Sequence, residues 1–495
     1  MRAKNKVMLQ VLAVLLLLCL SAALLSGCGQ VEDPAESTKP SASATKATEQ
    51  ERITLRLLVE DDLGGVAEKT ASDIFHMYLG RFVREYSFKS ENVEIVVEEI
   101  PNGAGREEAL QRLRAEIMMG EGPDMVLLPS APTQYYELAG YVEPLFADVQ
   151  QAMRNGLFLD IGAYYDADPE LDKGALNQTV MDAGIYDGAR YVLPLSYNMP
   201  VAYVAKEAFA QSGVPQDIFT YGAADLMNAV AQMEDPAVVA NFYQTYTRGA
   251  PMIFNFFPQL IDYETGEVAV TAEEFAEYLR AWQNCQARLG EASAEGQIMS
   301  YTRDLFVYFV GGFVTYWTEN DFFASCDSLL RAADNVLLAN HYDVELDMYP
   351  LRDIDGSVVA DVTMYAAVTS GCQHPELAYD FLRQFLSEEF QWQTGEISSD
   401  LDFFGWPVRI KGSANPVCDV DVGTNPISGE NITDEDMPIL NVQIDHVRFP
   451  IPLEPEFAEA VEGLYDARNK VPVETDLDQM AREWINKLQV HVDES

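Results

Sequence analysis

The sequence is poor in cysteine and histidine, and it lacks the common catalytic motifs. It contains six cysteines in 495 residues, none in a C-x-x-C pair, and five histidines without the spacing of a zinc site. No G-x-S-x-G, Walker A or H-E-x-x-H motif is present. These absences argue against a zinc site, a nucleotide-binding P-loop and the motif-bearing hydrolases. We therefore expect no cofactor and no metal ligand.

Basic residues are also scarce relative to acidic ones. The chain has 32 lysines and arginines against 79 aspartates and glutamates, a formal net charge of −47. A negative field of this size repels nucleic acid and anionic lipid headgroups, so nucleic acid is not an expected partner. The same field would attract a cationic ligand if a cleft focused it. Hydrophobic residues make up 48% of the chain, which supports two or three domains at this length.

The amino terminus resembles a bacterial lipoprotein signal. Basic residues precede an apolar run over 7–25, and Ser26-Gly27 come directly before Cys28. This order predicts a signal peptide over residues 1–27, its cleavage, and lipidation of Cys28. The mature protein is then exported and held by lipid on the outer face of the cell membrane. An uncleaved anchor is the alternative, since about 20 apolar residues span a bilayer.

Residues 28–51 favour cleavage over an anchor. They are rich in proline, serine and threonine and contain almost no bulky apolar side chain. Such a segment cannot bury enough surface to offset the entropy of ordering, so we predict a flexible tether.

A parallel βαβ unit is predicted directly after the tether. Residues 53–59 form an apolar strand, a helical pattern runs from about 68 to 86, and a second strand follows at 93–100. The next helix ends at Gly120.

Gly122-Pro123-Asp124 then turns the chain into an apolar strand over 125–128. Proline prevents the helix from continuing, and glycine permits the left-handed turn at its end. We assign Asp124 a structural role, bonding backbone at the start of that strand.

A hairpin turn is predicted at Asp187-Gly188, leading into an extended segment that Pro194 and Pro200 keep from becoming helical. We expect this segment to cross between two lobes of the protein. From Val201 to about 340 the pattern is mainly helical and rich in aromatics. A strand over 365–368 and a helix over 375–386 follow.

The four cysteines of the body leave disulfide pairing open. They are Cys285, Cys326, Cys372 and Cys418, far apart in the sequence. An exported protein can carry one disulfide or two here, and the sequence does not decide between them.

In this order the motifs resemble family 1 extracellular solute-binding proteins of ABC importers, the maltose-binding-protein class. The resemblance spans most of residues 52–495 and rests on six segments: 113–126 with its Gly-Pro-Asp, Gly140–Leu145, Gly188–Pro194, Gly311–Trp317, Ser370–Phe390 and Trp484–Glu494.

The resemblance implies an α/β, two-lobed periplasmic-binding-protein type II fold, in which each lobe is a mixed sheet flanked by helices and hinge segments join the two. The N-terminal lobe is expected over 52–196 and 350–400, and the C-terminal lobe over 197–349 and 401–495. It further implies a monomer without enzymatic activity that captures a small solute, foremost a carbohydrate, for ABC permease subunits in the membrane.

Three alternatives stay open for the function. The charge favours a binding protein for a cationic solute such as a polyamine. A surface sensor or interaction lipoprotein without a transport role is the second alternative. The third is an extracellular hydrolase, because a chain with this many carboxylates contains acidic pairs by chance.

The predicted ligand site combines a stacking aromatic with carboxylates and amides, because a sugar presents both an apolar face and hydroxyls. The resemblance points to Trp317 for stacking, with Tyr316 beside it; a place in the core is the alternative. The other candidates lie where strands or hinges end: Glu60, Asp61 and Asp62 after the first strand, Tyr197 and Asn198 at the presumed hinge, Glu319 and Asn320 after Trp317, and Trp406, with Ser130 and Tyr135 as weaker ones. Solvated loops, turns and caps are the structural alternatives for these.

Overall fold

The structure is a computed structural model, and it describes most of the chain after the predicted tether. The described residues are 52–60, 69–90, 92–101, 105–130, 143–240, 242, 259–262, 265, 267–294, 324–328, 344–391, 406–409, 421–422, 425–426, 438–451, 453–466 and 468–494. The predicted signal peptide, Cys28 and the tether lie outside these ranges. No helix in the described ranges has the length and apolar character needed to cross a membrane.

The secondary structure alternates between strands and helices. The strands are β1 Ile53–Glu60, β2 Val93–Ile100, β3 Met125–Pro129, β4 Ile185–Tyr186, β5 Ala189–Arg190, β6 Val192–Asn198, β7 Pro200–Ala205, β8 Ile261–Asp262, β9 Glu267–Val268, β10 Ala324–Ser328, β11 Leu346–Pro350, β12 Val359–Val368, β13 Trp406–Pro407, β14 Asp421–Val422, β15 Asn425–Pro426, β16 His446–Arg448, β17 Tyr465–Asp466 and β18 Val471–Pro472. The helices are α1 Lys69–Lys89, α2 Arg106–Met118, α3 Val149–Arg154, α4 Gly162–Ala167, α5 Gln178–Asp182, α6 Lys206–Gln211, α7 Ala223–Ala231, α8 Pro236–Ala240, α9 Ala272–Ala294, α10 Pro375–Leu382, α11 Glu388–Gln391, α12 Glu454–Glu462 and α13 Leu477–Glu494.

A mixed sheet dominates the first part of the molecule. Among the described residues it has seven strands, in the order β13-β6-β12-β3-β1-β2, with β16 beside the start of β12. Strand β1 is parallel to both β2 and β3, and β12 is antiparallel to β3 and β6. The predicted parallel βαβ unit is therefore confirmed. Strand β1 carries a continuous apolar run, Leu57, Leu58 and Val59, whose side chains are all buried, as expected where both faces of a sheet are covered.

The predicted turns around this sheet are confirmed. Gly120 ends α2 with a φ of 72°, in the left-handed region that glycine tolerates. The backbone N–H of Arg56 donates to Oδ2 of Asp124 at 2.8 Å, which is the structural role expected for that aspartate. Asp187 and Gly188, both at positive φ, join the antiparallel pair β4–β5.

A smaller sheet and a helical layer follow. Strand β7 pairs antiparallel with β10 and β11. The prediction of helix from Val201 is therefore wrong for Val201–Ala205. Helix α9 begins with a capping box, in which Thr271 Oγ1 accepts from the N–H of Glu274 while Glu274 Oε2 accepts from the N–H of Thr271. Its residues Phe275, Tyr278, Leu279, Trp282 and Leu289 recur at helical spacing and are buried.

The described residues form two hydrophobic cores. The first core surrounds the large sheet, and the second surrounds α7, α9 and α13. Strand β7 lies between the cores, since Tyr203 packs into the first while Ala202 and Val204 pack into the second. Alternation of side chains along a strand allows one strand to serve both. We call the parts built around these cores the first lobe and the second lobe.

Over the described residues, the chain crosses between the lobes at three places. The first crossing is Asn198–Pro200, between β6 and β7. The second is 351–358, because Leu351 packs in the second core and Val358 in the first. The third is Phe449–Ile451, whose ends also pack in different cores. We call these segments the crossings.

The third crossing comes later in the chain than the sequence suggested. Residues 401–495 were expected in the C-terminal lobe. Strand β13 instead pairs with β6, and β16 pairs with β12, so both belong to the large sheet. Phe449 accordingly packs in the first core.

Two of the body cysteines, Cys285 and Cys372, are free and buried. This excludes the alternative with two disulfides. Cys418 and the side chain of Cys326 lie outside the described part of the structure.

The buried thiols should react very slowly. Burial raises the pKa of Cys285 to about 12 and, together with Asp124, that of Cys372 to about 12. Against a free thiol near pKa ~8.5, this lowers the reactive thiolate fraction at pH 8 by roughly a thousandfold. In a Cys326→Ser/Cys418→Ser variant of residues 52–495, Ellman's reagent should therefore label both thiols rapidly in guanidinium and neither in the native state. A rapidly labelled thiol in the native protein would contradict this burial.

Candidate functional site

Strands β1, β3 and β6 end at the same edge of the large sheet. Strand β1 pairs parallel with β3. Strands β3 and β6 are both antiparallel to β12, which lies between them, so β6 runs in the same direction as β1 and β3. Ligands of open α/β sheets bind outside the carboxyl ends of such strands. We call this edge the carboxyl edge; the residues that mark it are Glu60, Ser130 and Asn198.

Glu60 is buried at the end of β1 and forms an ion pair with Arg106, the first residue of α2. The Nη2 of Arg106 also donates to the carbonyl oxygen of Glu143 at 2.8 Å. Arg106 therefore fixes the orientation of the Glu60 carboxylate and the position of the backbone at Glu143. Sequence reasoning found Glu60 and missed Arg106, because the partners belong to different strand and helix elements.

Glu60 also acts on the interior of the sheet. Burial raises the pKa of Tyr365 in β12, and the negative charge of Glu60 raises it further. The Tyr365 hydroxyl accordingly stays protonated.

The Ser130 hydroxyl is used within the sheet. Its Oγ donates to the carbonyl oxygen of Val362, and its N–H donates to that of Thr363 at 2.9 Å. These bonds tie the end of β3 to the middle of β12. These contacts therefore support a structural role for Ser130 at the end of the strand.

Tyr197 and Trp406 lie opposite each other in the pairing of β6 with β13, and both are buried in the first core. Burial raises the pKa of Tyr197, while a hydrogen bond with the Asn177 side chain opposes the rise. Their exposed fractions are 1% and 3%. In this conformation neither ring offers a stacking surface, so their predicted ligand contact stays a prediction.

Asn198 is buried at the end of β6, and its Oδ1 accepts from the N–H of Met199 at 3.0 Å. It lies opposite Asp361 of β12. Asn198 therefore stands at the end of β6, at the start of the first crossing, and its assignment to a hinge stays a prediction.

A buried ion pair beside Asn198 was not anticipated from the sequence. Arg448 of β16 contacts Asp361 through Nε to Oδ1 at 2.6 Å and Nη2 to Oδ2 at 3.3 Å. Burial raises the pKa of Asp361, and the charge of Arg448 opposes that rise. The sequence signal that could have revealed this ion pair is Asp361, the single charged residue in the apolar run 358–368.

The structure keeps the described candidates in separate groups. Tyr197, Asn198 and Trp406 are neighbours, whereas β3 and β12 separate them from Glu60, a lateral distance of roughly 14 Å at ordinary strand spacing. The remaining candidates lie outside the described residues: Asp61, Asp62, Tyr135, Tyr316, Trp317, Glu319 and Asn320. Within the described part of the chain, no group of three or more histidine, cysteine or acidic residues is arranged to hold a metal ion.

No protein-family model and no curated protein matches this sequence. Solved structures do match it. The galacto-N-biose/lacto-N-biose I-binding protein of the ABC transporter from Bifidobacterium longum, in complex with lacto-N-biose, is 14% identical with a TM-score of 0.50, over 89% of this chain and 96% of that one. A sugar transporter from Rhizobium etli in an open conformation is 15% identical with a TM-score of 0.50, over 88% and 99%. This chain has the solute-binding-protein fold.

The structure of a de novo designed cysteine esterase also matches this chain. That structure is 11% identical with a TM-score of 0.51, over 90% of this chain and 99% of that one. The fold alone therefore does not separate binding from catalysis, and the side chains of the site must do so.

Proposed function

We propose that this protein is a lipid-anchored, exported binding protein that captures a small carbohydrate and delivers it to the permease subunits of an ABC importer. The observation that carries the proposal is the arrangement of two cores joined by the short crossings. Two compact bodies on short connections can close around a ligand, and hinge closure of this kind is how binding proteins capture solutes.

The carbohydrate assignment draws support from the residues near the proposed site. Tyr316, Trp317, Glu319 and Asn320 place aromatic rings, a carboxylate and an amide in one short run of sequence. Glu60 ends β1 at the carboxyl edge, and Asp61 and Asp62 follow it in the sequence. Rings that cover the apolar face of a sugar and oxygens that accept its hydroxyl protons are the two chemistries such a ligand needs.

The lipid anchor is proposed from the signal-like start of the chain and from Cys28. Residues 28–51 then act as the tether between the lipid and the body. A flexible tether of this kind suits a folded body held at a membrane surface.

A cationic solute such as a polyamine is the second candidate. The net charge of −47 favours it, since carboxylates facing a cleft attract ammonium groups. A sensor or interaction lipoprotein without a transport role keeps the same anchor and fold; genes for permease subunits beside this one would count against it.

Thermal unfolding of residues 52–495 against a ligand panel tests the proposal. A ligand at about 100 times its Kd stabilises the native state by about 2.7 kcal/mol, which should raise the melting temperature by at least about 2 °C. We expect a rise with one or more mono- or disaccharides and none with spermidine or putrescine.

The outcomes of the panel separate the candidates. A rise with the polyamines that falls steeply with added salt would favour the cationic solute. If no sugar and no polyamine raises the melting temperature, the proposal of solute capture is wrong.

A further inference from the structure

The last turn of helix α13 connects the second lobe to the first. Leu488 and Val492 of this helix are buried in the second core. Between them in the sequence, Nε2 of His491 lies 3.1 Å from Oδ2 of Asp148. Asp148 directly precedes α3, whose first residue, Val149, packs in the first core. The contact between His491 and Asp148 therefore joins the two lobes.

The Asp148 carboxylate is firmly placed in the first lobe. Its Oδ1 accepts from the N–H of Gln151 at 2.9 Å, so Asp148 caps the start of α3. Its other oxygen, Oδ2, is the one that faces His491. The side chain of Asp148 is only 2% exposed, and a buried carboxylate requires hydrogen-bonding or ionic partners. His491 supplies such a partner from the opposite lobe.

The imidazole of His491 can make this contact in two protonation states. The ring donates through Nε2 as the cation and also as the neutral tautomer that carries its proton on that nitrogen. The contact with Asp148 is a hydrogen bond in both forms, and in the cation it is an ion pair as well. Hydrogen bonds to a charged group are stronger than those between neutral groups.

The bond can exist only over a narrow range of lobe angles. Neither His491 nor Asp148 lies in one of the crossings, so a rotation about the crossings displaces α13 against α3. The two atoms are 3.1 Å apart, and a movement of about 1 Å takes them beyond hydrogen-bonding distance. The Asp148 carboxylate cannot follow such a movement without leaving its cap on α3.

We infer that His491 and Asp148 form an interlobe latch: their hydrogen bond holds the second lobe against the first at the angle seen in this structure. This inference rests on the proposed function, in which the lobes move to capture a solute. It adds the contact that sets the resting angle before a ligand arrives. A ligand that rotates the lobes must break that contact.

Interlobe distances in the ligand-free protein test the latch. Spin labels at the exposed positions Gln111→Cys in the first lobe and Glu273→Cys in the second report the distance by pulsed electron paramagnetic resonance. The protein is the chain from residue 29 onward, with Cys326 and Cys418 replaced by serine. His491→Phe removes the hydrogen bond and keeps an aromatic ring.

We expect His491→Phe to add a second interlobe distance that differs from the first by at least about 2 Å. The ratio of displaced to latched molecules should rise about tenfold, which corresponds to about 1.4 kcal/mol. Asp148→Ser should have the same effect, because serine still caps α3 but has no second oxygen for His491. His491→Gln, which keeps an N–H donor, should stay close to wild type.

Asp493→Asn is the matched control, since Asp493 is an exposed carboxylate in the same turn of α13. It should leave the distance distribution unchanged. The proposal is overturned if His491→Phe or Asp148→Ser, folded by circular dichroism, gives the wild-type distribution, or if Asp493→Asn changes it as much. Should one of the two latch variants fold poorly, the other decides.

Sugars added to the wild-type protein report on the proposed function separately. A sugar that changes the wild-type distance supports solute capture. A wild-type distance that no sugar changes counts against solute capture, whatever the His491 and Asp148 variants show.

Discussion

Replacing Arg448 by methionine should lower the free energy of unfolding by about 3 to 5 kcal/mol. The substitution leaves the Asp361 carboxylate buried without its guanidinium, and a buried unpaired charge is costly. Urea denaturation of residues 52–495 at pH 7, followed by circular dichroism, measures the loss. With two cores the unfolding can occur in steps, in which case the transition of the first lobe is the one to compare.

The double variant Asp361→Leu/Arg448→Met separates the cost of the unpaired charge from the cost of lost packing. Removing both charges should restore stability to within about 1 kcal/mol of wild type, since buried ion pairs contribute little net energy against apolar replacements. Arg280→Met is the control at the surface, because the ion pair of Arg280 with Asp478 is largely exposed. It should cost less than about 1 kcal/mol. A single Arg448→Met variant as stable as the double variant would contradict the buried pairing.

Replacing Trp317 by alanine should weaken binding of the sugar that stabilises the protein by roughly thirtyfold or more, equivalent to about 2 kcal/mol. The reason is loss of the ring that the sequence assigns to the apolar face of the sugar. Isothermal titration calorimetry on residues 52–495 measures the affinity.

Trp406→Phe is the matched comparison for Trp317→Ala. Trp406 is buried in the first core, so its replacement should change stability more than affinity. If Trp317→Ala binds sugar as wild type does and is instead strongly destabilised, Trp317 belongs to the core and the proposed stacking surface is wrong.

The local elements of the fold were predictable from the sequence because short-range geometry decides them. The helix stop at Gly120, the hydrogen bond of Asp124 and the turn at Asp187-Gly188 all depend on residues within one turn of chain or on one neighbouring strand. Proline at the start of α10 and the apolar spacing within it likewise predicted that helix.

The candidate site was less predictable, because burial depends on pairings between distant segments. Tyr197 looked like a hinge residue from its position, but in the pairing of β6 with β13 it lies opposite Trp406 and is buried. The partners Asp361 and Arg448 are separated by 87 residues, and no spacing rule connects them. Arg106 was missed for the same reason, since α1 and β2 separate it in the sequence from its carboxylate partner Glu60 at the end of β1.

By itself the sequence determined the alternation of strands and helices, the turns between them and the acidic character of the chain, because these follow from backbone preferences and composition. Only the tertiary structure decided that strands β13 and β16 pair into the large sheet of the first lobe, and which carboxylates are buried in ion pairs. Strand pairing and charge burial are properties of segments that meet in space, and a buried charge can persist only where such a meeting supplies its partner.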